Sequence, residues 1–191
     1  MEKNVCDSVI GTLLNIKGKK KDGINARKDL VEMGVRLGLQ PQPHGKQTYL
    51  PPACHTLSKF EKLIFCRCLR GVKVPQGYSS NTKSLVSMQD LKLIGLKSHN
   101  FHVLMQNLLL VAFRGILPKN VRQVITRLCI FFNLICRKLI DPNNLDALEN
   151  EAIIILCQLE MYFPLSFFDI MVHLIVHLVR EIRICYPIFL H

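Results

Sequence analysis

The sequence contains no tryptophan, no Cys-x-x-Cys pair and no glycine-rich nucleotide loop. Without paired cysteines at that spacing, a zinc ribbon or finger is not expected. Without G-x-G-x-x-G or a P-loop, the usual nucleotide signatures are missing too. Apolar runs reach only about ten residues, as over 170–179, and that one is interrupted by His173 and His177. A membrane-spanning helix needs about 20 apolar residues, so none is expected. Acidic residues are scarce, 14 against 25 Lys and Arg. Aromatic residues are few in the front half, which argues against stacking on single-stranded bases.

What is present describes a folded chain. Of 191 residues, 49% are hydrophobic and 20% charged, so wholesale disorder is excluded. The charge is lopsided: residues 1–97 hold 17 basic and 7 acidic side chains, 17 − 7 = +10, whereas 98–191 hold 8 and 7, 8 − 7 = +1. A basic front and a neutral, apolar back imply two regions with different tasks. Glu2 and Asp7 stand where a secretory leader would be basic and then apolar. The eight cysteines are therefore read as thiols in a reducing compartment, and the protein as nuclear or cytoplasmic, neither secreted nor transmembrane.

Periodicity predicts a mainly α fold, with a helical bundle behind a loop-rich, basic N-terminal segment. Val5, Val9, Ile10, Leu13 and Leu14 share one helical face over 2–16. A short helix follows at about 25–33, closed by Gly34. Four prolines and two glycines over 38–57 read as an extended linker. Ser58 and Glu61 form a capping box opening a helix to Leu69. Residues 72–87, with Pro75 and Gly77, read as a loop, and Ser87 through Asp90 as the cap of a short helix. Longer helices are expected at 99–115, 119–140, 145–162 and 165–185, with Pro118, Pro142 and Pro164 in the breaks. Val121, Val124, Ile125, Leu128, Phe132, Ile135 and Leu139 make one stripe of the second. The last is apolar on nearly every side and is expected to be the central helix.

Several segments also resemble a known family. Residues 2–7, Glu-Lys-Asn-Val-Cys-Asp, and the run 11–15 resemble the end of the catalytic region in plant CACTA (En/Spm)-type transposases. Leu50-Pro51-Pro52-Ala53-Cys54 and Gly77-Tyr78-Ser79-Ser80-Asn81 resemble the segment that follows it. Gly95 through His99, Arg114 through Pro118, Glu160 through Pro164 and Phe168 through Leu174 resemble the accompanying transposase-associated domain of unknown function, DUF4218. The resemblance implies a remnant of the catalytic region over 1–37, a proline-rich linker over 38–57 and a helical domain over 58–191, truncated at its C-terminus. It further implies an RNase H-like parent enzyme with three acids around two metal ions. The first two acids would precede Met1, and the aromatic stretch that usually follows a region like Cys185-Tyr186-Pro187 is missing. The chain is thus read as an interior piece or degenerate copy of a transposase, without a catalytic core and with no cofactor. The alternative is part of a metal-dependent transposase or nuclease whose other acids lie elsewhere.

Individual residues are weighed on that basis. Glu2 is the one candidate catalytic residue, near where a third acid would sit. A single carboxylate cannot hold two magnesium ions, and a helix-start glutamate favoured by the macrodipole is the ordinary alternative. Asp169, His173 and His177 fall at i, i+4, i+8 on one helix, and His99 and His102 at i, i+3 on another. Two facing pairs would suit zinc, with Asp169 orienting a ring; a polar stripe continued by Arg180 and Glu181 is preferred, and no metal is expected. Cys66 and Cys68 point to different sides of a helix, while Cys129 and Cys136 lie on or beside the apolar stripe. Lys17, Lys19, Lys20, Lys21, Arg27 and Lys28 are the candidate DNA contacts. The expected partners are DNA, bound without sequence preference, or another transposon-encoded protein; no membrane and no small-molecule ligand is expected.

Overall fold

A computed structural model describes residues 1–72, 82–137 and 140–185. The expected loop motif Gly77 through Asn81, Leu139 of the apolar stripe and the segment Tyr186 through His191 lie outside the described residues. The fold is mainly α. In chain order, the main helices are α1 (Glu2–Leu13), α2 (Ile24–Glu32), α3 (Lys59–Gly71), α4 (Ser98–Val103) and α5 (Leu109–Ala112). Then come α6 (Lys119–Ile135), α7 (Leu145–Tyr162), α8 (Ile170–His173) and α9 (Ile175–Cys185). Among the described residues no helix is long and apolar enough to cross a membrane.

Local chemistry sets the helix boundaries. Ser58 Oγ accepts from the Glu61 amide while Glu61 returns to the Ser58 amide, so the α3 capping box forms. Gly34, at φ +68°, ends α2: its amide bonds the Val31 carbonyl and the Val35 amide bonds that of Leu30. Those two bonds make the left-handed closure that glycine adopts without a Cβ penalty. Between α4 and α5 the backbone passes through a π turn, Leu104–Leu108, so the expected helix over 99–115 is one rod with an extra residue inserted.

Four expectations change. Residues 42–49 form a small antiparallel hairpin, β1 (Gln42–His44) with β2 (Gln47–Tyr49), turning at Gly45 and Lys46. Beyond it Ala53, His55 and Leu57 are buried, so the proline-rich stretch is packed against the body rather than extended away from it. Ser87 does not cap a helix. It ends β3 (Val86–Ser87), and Leu91 at φ +50° turns the chain into β4 (Lys92–Leu93). The apolar C-terminal stretch is two helices meeting at Leu174, and Ile170 on its first turn is 70% exposed. The central helix is α6 instead, burying Val121, Val124, Ile125, Leu128, Phe131 and Phe132 against the π turn, α5 and α7. It ends at Ile135, capped by Cys136, rather than at 140.

A single cluster of buried residues runs from Val5 and Leu13 of α1 through Phe65, Phe113 and α6 to Val172 and Val179. Residues of the 1–37 segment therefore share a core with the bundle. Arg127 of α6 donates to both oxygens of Glu151 on α7, each at 2.6 Å, fixing that pair of helices on their outer side.

Candidate functional site

The basic segment between α1 and α2 folds as a tight turn against α1. Gly11 permits this approach, since a Cβ there would lie 2.8 Å from both the Lys19 Cβ and the Lys19 carbonyl oxygen. The amides of Lys19 and Lys20 bond the Ile16 carbonyl, and the Lys21 amide bonds Thr12 Oγ1 at 3.2 Å. The six expected cations then separate into three kinds. Lys19 pairs with Asp7 at 2.9 Å and Lys21 with Asp169 at 3.0 Å. Lys17, Lys20 and Lys28 have no ion-pair partner among the described residues, and Lys17 and Lys28 are exposed. Arg27 departs from the expectation of a surface contact. It is 2% exposed, and its guanidinium bonds both oxygens of Asp22 and the Leu39 carbonyl.

Asp22 also meets His55, which is 1% exposed and immediately follows the Leu50-Pro51-Pro52-Ala53-Cys54 motif. His55 Nε2 lies 3.1 Å from Asp22 Oδ2, and Nδ1 lies 2.9 Å from the Tyr162 carbonyl. A carbonyl only accepts, so Nδ1 carries a proton. Burial alone would lower the proton affinity of His55. The hydrogen bonds to Asp22 and Cys54, the charge of Asp22 and the Tyr162 carbonyl outweigh it and hold His55 above its ordinary value. Asp22 is the mirror case: burial would raise it, but bonds from His55 and Arg27 hold the carboxyl below the usual range. Both directions describe one ionised cluster, Arg27 and His55 positive around a single carboxylate. The His55 ring stacks on Phe163 at 4.9 Å. Arg36 donates to the carbonyls of Glu160 and Phe163, so two cationic side chains close the negative end of α7. Sequence reasoning did not find this cluster, although proximity to the proline-cysteine motif was the available signal for His55.

Lys20 and Arg27 both line a cavity of about 70 Å³ together with Thr12, Asn15, Asp22 and Thr56. A larger groove of about 740 Å³ lies beside it and shares Lys20 and Leu50. Lys20 also bears on Lys62 of α3, whose pKa is lowered first by burial and further by this like charge.

Glu2 stands in the first turn of α1, as a helix-start acid does, and is enclosed there. It is 6% exposed, takes Gln106 Nε2 at 3.0 Å from the π turn and meets His102 Nδ1 and the Cys136 thiol. Burial, then the Glu2 charge, push Cys136 to about 11 and Cys129 to about 12, so neither is an activated thiolate. All eight cysteines are free.

The histidine pairs are not brought together. His102 is engaged by Glu2, while His173 and His177 lie edge to face at 5.6 Å on the exposed side of α8 and α9. His99 is exposed on α4. Asp169 does not orient a ring: Oδ1 accepts from the Met171 and Val172 amides as the α8 N-cap, and Oδ2 takes Lys21. Among the described residues no group of three His, Cys, Asp or Glu is placed to hold a metal ion.

The fold is that of a mainly helical protein with a lysine-rich turn between α1 and α2. Residues 135–191 match the family model described as Domain of unknown function (DUF4218). No curated protein and no solved structure matches the chain.

Proposed function

We propose that this chain is a helical, CACTA transposon-derived module that contacts the nucleic-acid backbone without reading sequence and carries no strand-cleaving centre of its own. The observation that carries it is that Lys17 and Lys20 on the turn and Lys28 on α2 have no ion-pair partner among the described residues, while the charge of Lys20 also acts on Lys62. Cations left without protein carboxylates are those free to displace counterions from a polyanion. The DUF4218 match over 135–191 supports the transposon connection, together with the motif resemblance in the front half. Lys19 and Lys21, already paired, and Arg27, buried, leave the set of surface contacts.

The alternative, part of a metal-dependent transposase, would use Glu2 as a metal ligand. Glu2 is instead enclosed by Gln106, His102 and Cys136, which favours the non-catalytic reading. Duplex DNA binding measured across a salt series tests the proposal. The log–log slope is expected to flatten by about 0.9 for each phosphate that is no longer neutralised, so Lys17→Ala, Lys20→Ala and Lys28→Ala together should remove a slope of up to about 2.7. An unchanged slope, or magnesium-dependent nicking abolished by Glu2→Ala, overturns it.

A further inference from the structure

We propose that the small cavity between the lysine turn, α2 and the Pro51-Pro52 segment is a binding site for a single phosphate group. Its wall contains two cations, Lys20 and Arg27, and three neutral hydrogen-bonding side chains, Thr12, Asn15 and Thr56. At about 70 Å³ it exceeds the roughly 10–15 Å³ that one water needs, so it admits a small polyatomic anion but not a base or sugar. Asp22 also lines it, yet does not make it repulsive. Oδ1 is taken by Arg27 and Oδ2 by Arg27 and His55. With both cations counted, the buried cluster carries +2 − 1 = +1, and Lys20 adds a further charge. Arg27 spends three of its N–H groups on Asp22 and Leu39. A guanidinium has five, so 5 − 3 = 2 remain for a ligand. Lys20, half-buried and close enough to Lys62 to disfavour its protonation, has no carboxylate of its own among the described residues. A tetrahedral oxyanion supplies the missing negative charge and acceptors for these donors.

The inference rests on Lys20 as the non-specific DNA reading does, but its ligand is one phosphate in a defined cavity rather than a row of them on a surface. The phosphate can belong to a nucleic-acid backbone or to a small phosphorylated molecule, and the experiment separates the two. The full chain is titrated with inorganic phosphate, with sodium chloride at matched ionic strength as the reference, by calorimetry and by thermal melting. Saturable one-site binding with a rise in Tm over chloride is expected. Lys20→Met, which keeps the aliphatic stem, should weaken it about tenfold or more, whereas Lys17→Ala and Lys28→Ala, outside the cavity, should leave it intact. Competition by a short DNA duplex assigns the group to a nucleic-acid backbone; phosphate binding indifferent to duplex assigns it to a small phosphorylated ligand. Equal stabilisation by phosphate and chloride, or unchanged affinity in Lys20→Met, overturns the site. Loss of DNA binding with phosphate binding retained removes only the DNA reading.

Discussion

Asp22 is the acceptor for two buried cations, so its removal strands both. Asp22→Asn is expected to cost about 3–5 kcal/mol in urea unfolding, the usual penalty for breaking a buried pair from one side. A loss below about 1 kcal/mol would mean that the cluster is solvated. The same geometry gives a pH window. His55 is held above its ordinary 6.5, so its contribution is complete below about 6.5 and is lost as pH rises through the higher folded value. Asp22 is held below its ordinary 3.8, so its contribution is present above about 4 and is lost as pH falls through the lower folded value. The two overlap between about pH 4 and 6.5. The stability difference between the native chain and His55→Gln should be largest there and shrink above neutrality. A difference that stays constant from pH 5 to 9 would remove the imidazolium from the account. None of this was legible in the sequence, because Asp22 and His55 stand 33 residues apart and Tyr162 lies 107 beyond His55. Charge-density reasoning placed Arg27 with its lysine neighbours, whereas folding placed it with a carboxylate five residues away.

Helices were legible where one face repeats over many residues. The α6 stripe from Val121 to Phe132 reappears as its buried face, and Ser58 with Glu61 starts α3 as the capping pattern implies. Hydrophobicity alone misjudged the C-terminal stretch. Its apolar residues cover both sides, but within α8 and α9 only Val172, Ile175 and Val179 are buried, the remainder being half-buried or exposed. Mutation separates the two helices. Leu128→Ala in α6 is expected to cost about 3–5 kcal/mol through a cavity that cannot collapse, while Ile170→Ser should fall within about 0.5 kcal/mol. The reverse order would restore the C-terminal stretch as the centre. Gly11→Ala gives a finer test of α1. Alanine is worth about 1 kcal/mol over glycine inside a helix, but its Cβ would meet the Lys19 carbonyl at 2.8 Å. Overpacking against backbone costs about 1–3 kcal/mol, so the net change should be destabilising despite the better propensity. A stabilised Gly11→Ala chain would show that the lysine turn lies farther from α1.

At the scale of the molecule, the resemblance divides the chain at residues 38–57, but the core does not follow that division. Val5, Cys6, Val9, Ile10 and Leu13 of α1 and Leu14 just after it are buried in one cluster with α6, α7 and α9, and the Leu57 amide bonds the Leu13 carbonyl at 3.0 Å. Arg36 and His55 hold carbonyls at the end of α7, and Lys21 holds Asp169 at the start of α8. The first 57 residues thus bury apolar side chains and satisfy polar ends that belong to the bundle. Each fully buried aliphatic side chain is worth about 1.5–3 kcal/mol, so withdrawing the five aliphatic ones among these removes on the order of 10 kcal/mol. A domain of this size has only about 5–15 kcal/mol in total. A fragment spanning 58–191 is therefore expected to keep much of its helix but lose cooperative unfolding and bind a hydrophobic dye, as chains do when specific packing is lost. Sharp melting of that fragment near the Tm of the whole chain, without dye binding, would show that the bundle closes its core alone and that α1 only rests against it.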